Sequence, residues 1–363
     1  MSSPAIIPSA LTNPPQFADL VLGWYDPARR NLPWQGSADP YAIWIAEVML
    51  QQTTVNFAAT RFQKWIDHFP TLASLANAEE REVLSEWEGL GYYSRARNLH
   101  AAAKQVTIRF GGKLPDDYAK LTSLPGIGDY TANAILAIAY NQPTPALDVN
   151  LRRILSRVLP EKADPKARLA ETKEFLVTAL ENSKPRYLTE ALMELGQTIC
   201  KVRAPVCTAC PVESICQSTG MKAEELHAVT KAKSINRRSE IAVVAIWNGA
   251  VLLNSAPEKL FKGMHMLPTF GGVEFWEQTI ESWRISLGLE IASLKAFTPI
   301  NHHYTTNIVK LFPIAVEVIG MNCQIPKGTE WIEENRLAAI PMPSAHRKIL
   351  KQVKDNFIVF SSR

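Results

Sequence analysis

The chain has 363 residues, 47% of them hydrophobic, and a formal charge of +4 at pH 7, which excludes a disordered polyelectrolyte and allows two domains with cores of their own. No apolar run approaches the ~18 residues of a membrane span. Charge alone identifies no polyanion partner: residues 1–217 hold 22 basic and 22 acidic side chains, and only 218–238, with five against two, lean basic.

Residues 1–16 read as a flexible tail. Met1–Pro15 carries four prolines and no charge, so it has neither the basic end of a signal peptide nor the arginines of a transit peptide. A cytoplasmic location is the default expectation. From Phe17 to about Gln217 apolar residues recur at helical spacing, as in Phe57–Phe69, Leu84–Leu90 and Ala132–Tyr140, with proline and glycine between the runs. No extended alternating pattern interrupts them, which predicts an all-helical domain over 17–217.

Within that domain Asp39-Pro40 supplies an N-cap and a first-turn proline, and Glu47 is the only polar residue of Ala42–Leu50. A helix apolar all round is buried, and burial raises a carboxyl pKa by up to ~3–5 in extreme cases. Glu47 is then either a general acid kept protonated near neutrality or a structural acid bonded to backbone amides. In Leu124-Pro125-Gly126-Ile127-Gly128-Asp129, the two glycines permit a tight turn whose N–H groups face outward ahead of a helix. Such a nest holds a phosphate, although a bare G-x-G is more often an ordinary turn, and Asp129 is a poor neighbour for an anion. Asp148 opens another helical run, where it is an N-cap or a carboxylate that stabilises a developing positive charge. Nothing local pairs it with Glu47.

Four of the five cysteines, Cys200, Cys207, Cys210 and Cys216, fall within seventeen residues as C-x6-C-x2-C-x5-C. Clustered thiols in a cytosolic protein point to metal, and spacing alone leaves open structural zinc or one iron–sulfur cube. After a basic linker, 218–238, the texture changes over 239–363. Ile241–Trp247 and Val251–Leu253 read as strands about the turn Asn248-Gly249, followed by a helix at Trp276–Leu287 and a strand at Ile308–Val318, an α+β pattern.

Several of these strings resemble a known family. Met193-Glu194-Leu195-Gly196, leading into the cysteines, resembles the endonuclease III and MutY superfamily, and Leu124–Ala132 looks like its helix-hairpin-helix motif. Leu32-Pro33-Trp34, Glu47–Thr53 and Gly89–Asn98 are similar to the MutY family of adenine DNA glycosylases in particular, over about residues 17–217. The resemblance implies an all-helical helix-hairpin-helix DNA glycosylase domain with an iron–sulfur cluster loop, followed by a Nudix-like α+β lesion-recognition domain. It implies one 4Fe–4S cluster on the four cysteines. The expected protein is a bacterial, monomeric base excision repair enzyme acting at the nucleoid, on double-stranded DNA with adenine opposite 8-oxoguanine or guanine.

The resemblance also assigns roles. Glu47 would protonate adenine N7 and Asp148 would stabilise the sugar oxocarbenium ion, with Tyr130 and Asn150 positioning them. Trp34 and Glu190 match residues of the adenine pocket, Gln52 and Tyr92 residues that enter the base stack, and Gly126 and Gly128 the DNA-backbone turn. Bifunctional lyases carry a lysine where this chain has Tyr130, and a phenol forms no imine, so base removal without strand cleavage is expected. The rival readings are an endonuclease III-like glycosylase/lyase and a catalytically silent mispair-binding protein.

Three departures stand out. Val149 follows Asp148 where the family has glycine, so the backbone there must take an ordinary region. Lys259–Pro268 resembles the glycine loop of the Nudix-like domain but lacks the acidic helix that binds magnesium, so no phosphohydrolase activity is expected. The lesion-reading loop, Phe-Ser-His in the family, corresponds by position to Asn301-His302-His303, which keeps only a histidine and predicts altered selectivity for oxidised guanine.

Overall fold

The structure is a computed structural model that describes residues 13–26, 30–159, 164–221, 235–256, 261–304, 307–322 and 324–357. Most of the expected tail and linker, the first residues of the glycine loop and Cys323 lie outside the described residues. Two compact units emerge, one from residues 1–76 and 101–230, the other from 77–100 and 231–363. No helix among the described residues is long and apolar enough to cross a membrane.

The first unit is helical. Its opening helix α1 (Pro14–Trp24) starts inside the expected tail, because Pro14 and Pro15 occupy the first turn, where a missing N–H costs nothing. There follow α2 (Pro40–Leu50), α3 (Val55–His68) and α4 (Leu72–Asn77). The next two helices are α5 (Glu80–Glu86), in the second unit, and α6 (Ser94–Phe110), which runs through the division. The first unit continues with α7 (Tyr118–Thr122), α8 (Asp129–Ile138), α9 (Val149–Val158), α10 (Pro165–Glu181) and α11 (Pro185–Thr198).

Phe17 and Val21 of α1, Leu151 and Leu155 of α9, Leu176 of α10 and Leu192 of α11 bury together. At ~1.5–3 kcal/mol per fully buried side chain, this cluster is a substantial anchor for α1, α9, α10 and α11. Cys200, Cys210 and Cys216 pack against it, so the core that holds the helices also fixes the cysteine loop. The helical reading of Leu84–Leu90 needs correction. There α5 stops at Glu86, because Gly89, Gly91 and Tyr92 take φ of 93°, 71° and 46° and turn the chain.

The second unit is built on a sheet. Its strands are β1 (Asn236–Trp247), β2 (Ala250–Ser255), β3 (His265–Met266), β4 (Thr269–Phe270), β5 (Leu289–Ala296), β6 (Ile300–Tyr304), β7 (Asn307–Met321) and β8 (Thr329–Glu333). The main path runs β3-β2-β1-β7-β5, with β1 and β7 parallel at its centre. Asn248 and Gly249, with φ of 48° and 77°, make the expected hairpin turn between β1 and β2. The helices of this part are α12 (Trp276–Ser286), α13 (Glu334–Leu337) and α14 (Ser344–Asn356). Strand alternation sorts the two faces. Ala242, Val244 and Ile246 pack with Ile349 and Val353 of α14, and Ile241, Val243 and Ala245 with Ile280 and Trp283 of α12.

Asn301, His302 and His303, expected in a loop, lie instead within β6, opposite Lys310, Val309 and Ile308 of β7. Alternation turns His302 inward, stacked on Phe261 at 5.6 Å and edge-on to His346 at 6.0 Å, while Asn301 and His303 stay exposed. Burial pushes the His302 pKa down to about 4, so it is a neutral packing ring at neutral pH.

Candidate active site

The Asp39 carboxylate caps α2 by accepting from the amides of Tyr41 and Ala42, which sets the register that points Glu47 inward. Glu47 is only 5% exposed. Tyr130, on the first turn of α8, donates its hydroxyl to Glu47 Oε2 at 2.6 Å. Burial raises the Glu47 pKa to about 7, with the carboxylates of Asp148 and Glu190 adding to the rise and the Tyr130 hydrogen bond opposing it. Burial and Glu47 together hold the Tyr130 hydroxyl well above its ordinary range, so it stays a neutral donor.

Asp148 caps α9. Its Oδ1 accepts from the amides of Asn150 at 2.9 Å and Leu151 at 2.7 Å, and its Oδ2 from Asn150 Nδ2 at 2.7 Å. The capping reading and the functional one are therefore compatible, since the same bonds fix the carboxylate's position. Val149 is the exposed first residue of α9 in right-handed backbone, as its β-branch requires. Arg153 braces the arrangement from behind, donating to Asn150 Oδ1 at 2.9 Å, to the Gly196 carbonyl at 2.8 Å and to the Cys200 carbonyl at 2.9 Å. A Cβ on Gly196 would stand 2.8 Å from Asn150 Cβ, so this close approach needs glycine.

Glu47 lines a pocket together with Trp34, Glu190, Arg30, Met193 and Gln197. Asp148 is not among the lining residues, yet it lies near enough to raise the pKa of both Glu47 and Tyr130. Trp34 meets Phe62 edge-on at 5.4 Å. Glu190 accepts from the Tyr25 hydroxyl at 3.2 Å, and burial raises its pKa. Arg30 donates to Gln197 Oε1 at 2.9 Å and forms an ion pair with Glu194. Sequence reasoning missed Arg30 as a pocket residue and Tyr25 as the donor to Glu190, and no local signal marks these pairings, because the partners Gln197 and Glu190 lie more than 160 positions away.

The turn between α7 and α8 has the expected form. Gly126 takes φ of 77° and Gly128 occupies the N-cap position of α8. Asp129 is drawn aside, its carboxylate accepting from the Tyr118 hydroxyl at 2.8 Å. Gln52 is exposed with φ of 58°, and Tyr92, in the other unit, is half-buried with φ of 46°. Left-handed backbone is uncommon outside glycine and concentrates at functional positions.

Cys200, Cys207, Cys210 and Cys216 ring one cavity. Among the described residues no three His, Cys, Asp or Glu side chains are placed to hold a single metal ion. Buried Arg157 donates to Cys200 Sγ at 3.3 Å and to the carbonyls of Lys201 and Val202. It supplies the positive charge that several thiolates in a shielded site require. The donor set therefore fits an anionic thiolate-held cluster.

Residues 45–176 match the HhH-GPD superfamily of base excision DNA repair proteins, and residues 242–352 match the NUDIX domain. Adenine DNA glycosylase of Buchnera aphidicola subsp. Acyrthosiphon pisum is 31% identical over 94% of this chain and 98% of its own length. The human adenine DNA glycosylase is 40% identical over 56% of this chain, a match that covers 39% of the human protein. Among solved structures, that of a thermostable thymine-DNA glycosylase superposes with a TM-score of 0.52 at 25% identity, over 57% of this chain and 96% of the other.

Proposed function

Because the chain belongs to the adenine DNA glycosylase family, matching a bacterial member over 98% of that member's length, we propose that the pocket beside Glu47 receives an adenine extruded from duplex DNA. The chain is a DNA N-glycosylase of base excision repair. Its substrate is adenine opposite 8-oxoguanine or guanine, and extrusion, which costs a few kcal/mol, is cheapest at such a mispair.

The observation that carries the mechanism is a dehydrated carboxyl, with a pKa near 7, in the field of a second, fixed carboxylate. Protonated Glu47 gives its proton to adenine N7, which makes the base a better leaving group. The C1′–N9 bond breaks, its electron pair leaves with adenine, and the sugar becomes an oxocarbenium-like cation. Asp148 stabilises that cation, and Asn150 keeps it from swinging away. Glu47, now an anion, takes a proton from the water that attacks C1′, which restores the starting state. Trp34 and Glu190 bound the base, and Gln52 and Tyr92 fill the gap left in the stack.

Tyr130 provides no amine, so the product is an abasic site with an intact strand. The four cysteines would hold one 4Fe–4S cluster, which supplies structural cross-linking of the loop that follows α11. Single-turnover cleavage of an 8-oxoguanine:A duplex, with Glu47→Gln as control, tests the reading. Adenine release that is abolished in the variant, with no adduct trapped by borohydride, is expected. Trapped adduct or an active variant would overturn it.

A further inference from the structure

The turn that carries Tyr92 belongs to the compact unit of the C-terminal sheet, and arginine contacts pin both of its ends there. Arg347 of α14 pairs with Glu88 at two points, Nε to Oε1 and Nη2 to Oε2, each 2.9 Å. Its Nη1 also donates to the Leu337 carbonyl at 2.6 Å and its Nη2 to that of Ile340 at 2.5 Å, so the guanidinium plane is fixed from behind. On the far side of the turn, Arg97 donates to the Lys262 carbonyl at 2.7 Å. Both partners of the ion pair are about three-quarters buried, with side-chain exposures of 26% and 22%. Two-point, partly shielded pairs are the ones that hold geometry, unlike single surface contacts.

Glu88 is followed directly by Gly89-Leu90-Gly91-Tyr92, in which Tyr92 takes a left-handed φ of 46°. Arg95 donates to the carbonyls of Leu90 at 2.8 Å and Gly91 at 3.1 Å, and its guanidinium lies 5.7 Å from the Tyr92 ring. Trp87 Nε1 donates to the Gly91 carbonyl at 3.0 Å. A left-handed tyrosine persists only where its surroundings over-determine it. These bonds fix the turn's internal shape, and the pair at Glu88 fixes where that shape is held.

We infer that the Arg347–Glu88 pair is a positioning clamp that sets the Gly89–Tyr92 turn from the C-terminal helix, and through it the entry of Tyr92 into the base stack. The inference rests on the proposed stacking role of Tyr92. The clamp and the turn it holds lie within one compact unit. Arg347 is a positioning residue and takes no part in proton transfer.

The test uses the full chain, an 8-oxoguanine:A duplex with 2-aminopurine beside the target adenine to report unstacking, and Arg347→Met, Tyr92→Ala and the double variant. Arg347→Met is expected to lower the unstacking signal and the single-turnover rate about tenfold, and to leave the alkaline limb of the pH profile in place. Tyr92→Ala loses the same signal, and Arg347→Met adds nothing to it in the double variant. An undiminished signal in Arg347→Met beside a diminished one in Tyr92→Ala removes the clamp alone, as does full additivity of the two losses. An undiminished signal in Tyr92→Ala removes the stacking reading and the clamp with it. If circular dichroism shows Arg347→Met unfolded, Glu88→Gln replaces it under the same criteria.

Discussion

Burial keeps water from the Glu47 carboxyl and favours its protonated form. Folding raises its pKa from 4.5 to about 7, so the native state binds the proton more tightly than the unfolded chain. The contribution to stability is full below about pH 4.5 and is lost as the pH rises through about 7. A shift of that size is worth roughly 3 kcal/mol. Glu47→Gln should therefore melt several degrees above the parent at pH 8 and close to it at pH 4.5, while glycosylase activity is lost. Equal melting temperatures at both pH values would show that the carboxyl is not held protonated by burial. Tyr130→Phe removes the one hydrogen bond that lowers the Glu47 pKa. The alkaline limb of kcat/KM should then move to higher pH, and a limb that moves down would contradict the arrangement.

At the scale of the element, the sequence is most legible at helix ends and turns, where a few neighbouring residues decide the conformation. Asp39 and Asp148 are caps, and Asn248-Gly249 is a hairpin turn, as their chemistry requires. Gly126 follows the same logic. At φ of 77° an added Cβ costs about 1 kcal/mol. Gly126→Ala should weaken DNA binding severalfold with little change in the rate of bound substrate, which a filter-binding titration beside single-turnover kinetics separates. Strand β6 shows where legibility ends. The tripeptide Asn301-His302-His303 has no pattern of its own, and pairing with β7 buries its central ring. Only Asn301 and His303 keep a free face, so the rate ratio between 8-oxoguanine:A and G:A duplexes should be smaller than in a family member with the Phe-Ser-His loop. An equal ratio would dispose of that expectation.

For the whole molecule, the cysteine loop closes against the core of α1, α9, α10 and α11. Purified protein should contain about four iron and four sulfide per chain, and chelation should lower its melting temperature, because metal bound only by the folded state stabilises it. One zinc per chain would replace the cluster with a simpler site. The sequence by itself determined the helical half, the α+β half, the caps, the glycine turn and the four-thiol motif, because each is written in residues a few positions apart. The tertiary structure alone decided that Tyr130 reaches Glu47 across 83 positions, Tyr25 reaches Glu190 across 165, and Arg347 reaches Glu88 across 259. Local sterics and hydrogen bonding set the first group. The second depends on how whole elements pack, which no short stretch of sequence contains.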